Sequence, residues 1–500
     1  MEINLVSFLL LFSSIFIRVR KWRSQKQKLP PAPWRLPLTG SLHHLISGHN
    51  PHRIFRDLAR NYGPVMYLEL GEVPTVIISS PSTSKQVLKT YDLAFASRPQ
   101  FTSTDIVMYN NKGIAFAEYG DYWKQMRKIC TTELLSAKMV KSFSSIQKDE
   151  LLNVLSSIDS CGCTCEVKMT ERIVRFTSSV TCRLVFEKLC RDRDELINLM
   201  KDALILVGGF DVGDFFPSWK LLYKKSVAKS KLVKMQQNVD SVLESIINEH
   251  IKNRAMGTKG NGAYGGEDLV DVFLRIKEND QLQFPVTNDN IKDVILDMFT
   301  GGIETSSTTI IWAMSELMKH PDIMVKAQSG VRQAFKEKTD FDEEDLDNLP
   351  YLKLVIKETL RLHAPNIVHR ECREETIVDG YTIPATATAL VNTWAMGRDP
   401  EVWYDPESFI PERFENSPID YLGNNYEYLP FGAGKRICQG MQFGLANVKQ
   451  PLARLLYHFN WELPHGTSSK DLHMSEKSGL SAAKKKDLYL IAKTNQSLEI

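Results

Sequence analysis

Cysteine is scarce in this chain, with 8 residues among 500. Proteins built on a disulfide framework carry far more, so such a framework is excluded as the basis of the fold. The densest group, CGCTC at Cys161 to Cys165, has one-residue spacing and no nearby histidine, unlike a zinc ribbon. We interpret it as a surface loop rather than a metal site.

Net charge is also small, at +2 for the whole chain. Residues 1–28 hold an excess of five positive charges, so the rest of the chain is net negative by three. A protein that binds nucleic acid usually spreads its positive charge over the folded body. The sequence therefore predicts no nucleic-acid partner.

Long apolar runs are limited to one, INLVSFLLLFSSIFI at Ile3 to Ile17. As a helix it would reach roughly 22 Å, somewhat short of a hydrocarbon core of about 30 Å, and the basic side chains that follow it can extend the span by reaching lipid headgroups. Because these cations follow the run, we predict an uncleaved signal anchor at residues 1–20, with the rest of the chain cytosolic. Residues 21–40 are basic and proline-rich, which predicts a semi-rigid hinge.

The body, residues 41–500, shows no internal repeat and no break in composition. Helical periodicity covers most of it, including Lys138 to Ser157 and Ser230 to Ile251. Two hairpins are predicted, one around GEVP between residues 65 and 79 and one around Asp379-Gly380. The expected fold is a single large domain, mainly α with small β-sheets.

The stretch LPFGAGKRICQG, Leu429 to Gly440, places Cys438 behind two glycines and two cations. This cysteine has no local disulfide partner and no companion zinc ligands. A helix is predicted to begin just after it, with a kink at Pro451, and a sulfur at a helix amino terminus gains from the dipole as a thiolate. A thiolate with one open face suits a single axial bond to haem iron, whereas an inert buried cysteine is the alternative.

A long central helix is predicted from Ile291 to Met318, yet Gly301 and Gly302 interrupt it. Two such glycines cost roughly 1 kcal/mol each relative to alanine. A packing notch would explain the glycines alone, but an acid and an alcohol, Glu304 and Thr305, follow directly.

These segments carry a family resemblance. FGAGKRICQG, from Phe431, matches the signature F-x-x-G-x-R-x-C-x-G of the cytochrome P-450 superfamily, and WKQMR, GGIET, KETLR, HRECRE and PERF occur in the order of that family. The chain resembles it over nearly its whole length. The resemblance implies a cytochrome P-450 fold behind a membrane anchor, with haem b (iron protoporphyrin IX) as cofactor and Cys438 as the metal ligand.

The resemblance also implies roles for individual residues. The haem would be contacted by Trp123, Arg127, Arg370, Phe431, Gly434 and Arg436. Oxygen activation and proton relay would fall to Glu304 and Thr305, and a structural lock would consist of Glu358, Arg361 and Arg413. By analogy, the substrate pocket would draw on Phe210, Leu296, Phe299, Gly301, Ile367, Val368 and Leu480, which are mostly apolar. Gln439 and His369 stand where relatives mostly carry proline.

Two segments resemble those of plant microsomal members of the terpenoid and alkaloid hydroxylase group, which includes sesquiterpene oxygenases. They are AEYGDYWKQMRKIC and NNYEYLPFGAGKRIC. This implies a monooxygenase of the endoplasmic reticulum membrane that uses O2 and electrons from NADPH-cytochrome P-450 reductase. The expected substrate is a hydrophobic terpenoid (sesquiterpene or diterpene), with alkaloids or flavonoids as alternatives. The reductase would dock on a cationic patch of Lys124, Lys128, Lys435 and Lys449.

Two other classes remain open for such a chain. An oxygen-independent haem-thiolate isomerase or dehydratase usually lacks the acid–alcohol pair, which is intact here. A haem carrier or sensor would need neither a proton relay nor a reductase patch.

Overall fold

The structure is a computed structural model, and the part of the chain that it describes comprises residues 28–46, 50–162, 165–186, 193–207, 212–219, 227–257, 267–279, 282–336, 338, 343–364, 367–477 and 481–495. Within these residues no helix combines the length and apolar character needed to cross a membrane. The predicted anchor at residues 1–20 and the first part of the predicted hinge lie outside them.

Helices make up most of the described chain, which confirms the predicted mainly α fold. In chain order the α-helices are α1 (Pro51–Tyr62), α2 (Pro81–Lys85), α3 (Thr102–Val107), α4 (Asp121–Ile129), α5 (Ala137–Ser142), α6 (Ser144–Asp159), α7 (Met169–Phe186), α8 (Arg193–Val207), α9 (Val212–Phe215), α10 (Val227–Ala255), α11 (Leu269–Glu278), α12 (Asn288–Phe299), α13 (Thr305–Lys319), α14 (Pro321–Ala334), α15 (Glu343–Leu346), α16 (Pro350–Leu362), α17 (Thr393–Met396) and α18 (Met441–His458).

Shorter helical segments join these elements. Single wide π turns occur at Gln86–Thr90, Cys130–Leu134 and Thr300–Glu304, and 3-10 turns at Leu42–Ile46, Pro217–Trp219, Pro411–Phe414 and Gly434–Arg436. Proline at the first turn begins α1, α14 and α16, where its missing N–H costs nothing. A capping box at Thr287 and Asn290 begins α12.

Three small sheets complete the fold. The strands are β1 (Val65–Leu70), β2 (Val73–Ile78), β3 (Glu166–Lys168), β4 (Val368–Glu371), β5 (Thr376–Val378), β6 (Tyr381–Ile383), β7 (Thr388–Val391), β8 (Phe459–Glu462) and β9 (Tyr489–Thr494). One sheet has the order β1-β2-β7-β4, with β2 and β7 parallel, and the others are β3-β9-β8 and β5-β6.

Both predicted hairpins are confirmed. Strands β1 and β2 pair antiparallel around a turn at Gly71, where φ is +65°. Strands β5 and β6 pair around Asp379 and Gly380, both with positive φ, as a type I′ turn requires. The predicted helix at residues 138–157 is in fact two helices, α5 and α6, because the chain turns at Phe143.

The core centres on α13, which is buried along almost its whole length. It packs against α7, α16 and α18. Its buried hydroxyls are satisfied by carbonyls of the preceding turn, as in the bond from Ser315 Oγ to Ile311 O at 2.7 Å. The described part of the predicted hinge, residues 28–40, lies on the sheets, since the Tyr67 N–H donates to Pro31 O at 2.8 Å and the Thr382 N–H to Lys28 O at 2.8 Å.

Candidate active site

The cysteine segment forms a tight loop ahead of α18. Gly432 and Gly434 have φ of +69°, which few other residues adopt without strain. A Cβ at Gly434 would lie 2.3 Å from Leu88 O, so this position also needs glycine for close approach. The Cys438 N–H donates to Phe431 O at 3.0 Å, which fixes the sulfur relative to the start of the loop. Helix α18 continues through Pro451, and the kink at that residue stays a prediction.

The Cys438 side chain is exposed, yet protein surrounds it closely. Burial raises the pKa of the Cys438 thiol, while the Gly440 N–H and the charges of Arg127 and Arg98 act in the opposite direction. The side chain therefore borders an accessible space lined by protein, the hollow beside the cysteine loop. The sequence-based expectation that the helix terminus favours the thiolate is therefore outweighed, in the chain alone, by burial. A metal bond would supply the missing stabilisation.

Four arginines converge beside this loop: Arg98, Arg127, Arg370 and Arg436. Arg127 donates to Ile437 O at 2.8 Å, and Arg436 donates to Ala96 O at 2.7 Å. Arg370 donates to Ala433 O at 3.1 Å. Arg98 donates to His369 O, on the strand that also carries Arg370. These bonds go to neutral carbonyls, so they hold the guanidinium groups in place without cancelling their charge.

Trp123, predicted to contact the cofactor, lies between two of these cations. The Arg436 guanidinium is 4.1 Å from the centre of its ring and that of Arg127 is 5.2 Å away. The indole N–H donates to Ile114 O at 3.0 Å. Such cation–π contacts orient the arginines but do not neutralise them.

The cluster carries positive charge that no ion pair compensates, although the negative charge of Asp92 offsets part of the effect of burial and of the neighbouring arginines on the pKa of Arg370. Burial lowers the pKa of Arg98 to about 10 and that of Arg436 to about 9, and in each case a neighbouring arginine lowers it further. Burial lowers the pKa of Arg370 well below its ordinary value. Among the described residues no carboxylate lies within ion-pair distance of any of the four. Arg370 Nε is moreover buried without a hydrogen-bond partner.

These observations test whether a haem fits. Its two carboxylate side chains would supply the negative charge that the cluster lacks, and guanidinium pairs with carboxylate bidentately. The sulfur of Cys438 would bind the iron. The residues present therefore fit the group. Arg98 was missed by sequence reasoning, although an arginine directly after the buried run Ala94–Ser97 was an available signal.

The central helix opens beside this hollow. Helix α12 continues into the π turn Thr300–Glu304 and then into α13. The two glycines differ in their surroundings. A Cβ at Gly301 would meet nothing within 4 Å, whereas a Cβ at Gly302 would lie 3.1 Å from Thr181 Oγ1. Gly302 is thus a packing notch, and Gly301 is exposed in the middle of an otherwise buried helix. The Thr305 hydroxyl donates to Gly301 O at 2.6 Å and bridges the turn.

Glu304 and the lock residues are also fixed by contacts. Glu304 Oε1 accepts a hydrogen bond from the Ser481 hydroxyl at 2.7 Å.

The Glu358 carboxylate pairs with Arg361 through two bonds of 2.8 Å and with Arg413 Nε at 2.9 Å. The structure therefore brings the three predicted lock residues together in the core.

The predicted pocket residues divide into three groups. Leu296 and Phe299 are buried in the main core, where the Phe299 ring lies 5.9 Å from that of Phe186. Ile367 and Val368 are half-buried, and Val368 lies beside the cysteine loop, 3.7 Å from where a Cβ on Gly432 would be. Phe210 and Leu480 lie outside the described residues.

A cysteine loop, an uncompensated arginine cluster and an opened helix around one hollow define a protein that holds a flat dianionic cofactor through a thiolate. The family model described as Cytochrome P450 matches residues 30–491, and the chain belongs to this family of haem-thiolate monooxygenases. It is 55% identical over 495 residues to premnaspirodiene oxygenase of Hyoscyamus muticus and 53% identical over 495 residues to 5-epiaristolochene 1,3-dihydroxylase of Nicotiana tabacum, covering 98% of each pair of chains. A solved zebra fish cytochrome P450 with progesterone has a TM-score of 0.75 at 24% identity, covering 90% of this chain and 100% of that one.

Proposed function

We propose that this chain is a membrane-anchored, haem b-dependent monooxygenase that hydroxylates a sesquiterpene-type hydrocarbon. The observation that carries the proposal is full-length similarity to two oxygenases whose names specify sesquiterpenes. The half-buried, apolar Val368 beside the cysteine loop favours a substrate with few polar groups.

In this proposal Cys438 holds the iron from one side, and Arg98, Arg127 and Arg370 hold the cofactor's carboxylates. When bound, the haem supplies oxygen binding and the oxidising power for C–H attack. The chain's own part is to orient the cofactor, exclude water and deliver protons. Gly301 leaves open space beside the turn. In the proposal the Thr305 hydroxyl exchanges its bond to Gly301 O for a hydrogen bond to a group in that space. Glu304 carries protons to it.

The proposed electron donor is NADPH-cytochrome P-450 reductase at the endoplasmic reticulum membrane. Of the four predicted docking lysines, Lys124, Lys128 and Lys435 are exposed and Lys449 is half-buried. Lys124 pairs with Asp121 at 2.9 Å and Lys449 with Asp347 at 2.7 Å. Trp34 and Ile46, near the predicted hinge, are 62% and 80% exposed. Large apolar side chains next to a membrane anchor favour contact with lipid.

Co-expression with a plant reductase tests the function directly. Membranes would be fed premnaspirodiene, 5-epiaristolochene, a flavanone and an indole alkaloid, with products identified by mass spectrometry. We expect oxygenated products from at least one hydrocarbon, with none from the polar probes. Turnover of only the flavanone or the alkaloid would contradict the terpenoid assignment.

Two variants test the residue roles. Cys438→Ala should abolish the Soret band that thiolate ligation gives the ferrous carbon monoxide complex, and retention of the band would contradict the ligand assignment. Thr305→Ala should leave NADPH consumption in place while less of it appears as product, with Thr305→Ser as the matched control. Equal product per NADPH in all three proteins would contradict the role of Thr305.

A further inference from the structure

A hydroxyl from the far end of the chain meets the acid of the opened helix. The Ser481 hydroxyl donates to Glu304 Oε1 at 2.7 Å, and Ser481 is only 2% exposed. Among the described residues Glu304 Oε2 accepts no hydrogen bond. One carboxylate oxygen is therefore held and the other is left available.

The segment that carries Ser481 is itself firmly placed. Two described stretches, residues 475–477 and residues 481–485, pair as the arms of a hairpin: the Lys477 N–H donates to Ala483 O at 2.8 Å, and the Lys485 N–H donates to Ser475 O at 2.8 Å. Glu476 in the first arm is buried and anchors it. Its carboxylate accepts hydrogen bonds from Arg53 at 3.0 Å and from the Trp394 indole N–H at 3.2 Å. These contacts tie the stretch that carries Ser481 to the rest of the fold.

A second contact docks the same hairpin on the same helix. The Trp312 indole, about two turns beyond Glu304, donates to Ala482 O at 2.8 Å. Trp312 is fully buried and stacks on His363 at 3.9 Å between ring centres. The hairpin would therefore stay in place without the serine hydroxyl, so that hydroxyl has a separate task.

We propose that Ser481 is a positioning residue for proton delivery, holding the Glu304 carboxylate by Oε1 so that Oε2 is available at a reproducible place. This inference rests on the proposed proton-relay role of Glu304. A glutamate has three rotatable bonds, and a relay works only within hydrogen-bond reach of about 2.6–3.2 Å. A charge-assisted bond from a buried hydroxyl removes the alternative rotamers.

The decisive comparison is between two variants of nearly equal shape, Ser481→Thr and Ser481→Val, in the full-length enzyme with its reductase. Premnaspirodiene and 5-epiaristolochene serve as probes. The amounts of product and of hydrogen peroxide formed per NADPH consumed are measured, and the ratio of product to peroxide is compared between the variants. Ser481→Val should lower this ratio about tenfold, the size expected for losing one hydrogen bond to a charged group, while Ser481→Thr stays within about twofold. The KM for the hydrocarbon should not change. Equal ratios in the two variants would overturn the proposal.

Two controls separate positioning from folding and from the proposed function. Ser475→Ala removes a hydroxyl from the same hairpin that bonds His473 rather than Glu304, and it should leave the ratio unchanged. Amide hydrogen exchange of residues 475–485 should be the same in Ser481→Val and the parent. Faster exchange across the hairpin would make the serine a structural residue and refute the inference.

The Glu304→Ala background separates the two hypotheses. If Ser481 acts through Glu304, Ser481→Val adds less than about a twofold further loss once the carboxylate is gone. If Glu304→Ala alone leaves the ratio unchanged, the proposed relay is wrong. If Glu304→Ala uncouples the enzyme and Ser481→Val does not, only the inference about Ser481 fails.

Discussion

The lock and the arginine cluster are two groups of buried cations that are stabilised in opposite ways. In the lock, Arg361 and Arg413 share the Glu358 carboxylate, and their remaining donors reach backbone carbonyls such as Pro406 O at 2.7 Å and Tyr404 O at 2.6 Å. In the cluster, four arginines bond only to neutral carbonyls. A buried charge without a counter-charge is costly, so a cluster that persists is expected to have its anion on a ligand.

A third group of buried charges, a pair of acids on α12, shows that buried acids and buried arginines differ in how they can lose their charge. Asp293 and Asp297 lie one turn apart and are buried, and each has one carboxylate oxygen without a hydrogen-bond partner. Their other oxygens accept backbone N–H groups of the loop above, including that of Ile114 at 2.6 Å. A buried carboxylate can lose its charge by taking up a proton near neutral pH, whereas a guanidinium stays charged there. The acids can therefore adjust by titration, but the arginine cluster is stabilised by a bound anion.

The largest predicted effect comes from breaking the lock. Glu358→Gln leaves two buried guanidinium groups without a carboxylate, and we expect a loss of about 3–5 kcal/mol in stability. Thermal unfolding followed by circular dichroism measures it, together with the yield of haem-loaded protein. A loss below about 1 kcal/mol would show that the backbone carbonyls alone hold the arginines.

Removing a cluster arginine should act on cofactor retention instead. Arg127→Leu is expected to speed haem loss to excess apomyoglobin about 10- to 100-fold, because one charge-assisted pair is worth about 1.5–3 kcal/mol. Lys128→Gln, the neighbouring exposed cation, is the matched control and should leave the rate unchanged. An equal effect of both variants would show that general charge, rather than the cluster, holds the cofactor.

The acid pair predicts a pH dependence. Burial raises the pKa of Asp297 to about 7 and that of Asp293 well above its ordinary value, with the negative charge of Asp297 adding to the shift of Asp293. The folded state therefore binds more protons than the unfolded state, in which the pKa is about 3.9, so the free energy of unfolding falls as pH rises from about 4 to about 7.

Asp293→Asn should flatten that slope and raise stability above pH ~7 by about 1 kcal/mol, because the amide oxygen can still accept the Gly113 N–H. Urea unfolding at several pH values across the window measures the change. Asp289→Asn, a half-exposed acid at the start of the same helix that pairs with Lys112, is the control and should leave the slope as it is. An unchanged slope in Asp293→Asn would mean that Asp293 does not contribute to the pH dependence.

The smallest effect is expected at the surface beside the lock. Lys326 pairs with Glu412 at 2.7 Å, and the lysine side chain is 58% exposed. Exposed pairs contribute between 0 and about 1 kcal/mol, so Lys326→Gln should shift the unfolding temperature only slightly. A shift comparable to that of Glu358→Gln would remove the contrast between buried and exposed ion pairs.

Local patterns were sufficient for much of the fold. Alternation and an Asp-Gly turn predicted both hairpins, and apolar periodicity predicted the central helix, because each depends on residues close in sequence. The division between α5 and α6 was missed, since no glycine or proline marks the turn at Phe143. The different tasks of Gly301 and Gly302 were also hidden, because only packing against Thr181 distinguishes them.

The sequence by itself determined the fold class, the cysteine loop with its obligatory glycines and the acid–alcohol pair, since these are encoded in contiguous residues with strict spacing. Only the tertiary structure decided which charges are compensated. It assembled the arginine cluster from segments hundreds of residues apart, added Arg98, and brought Ser481 to Glu304 across 177 positions of the chain. Such contacts depend on the packing of distant helices and strands, which no local pattern specifies.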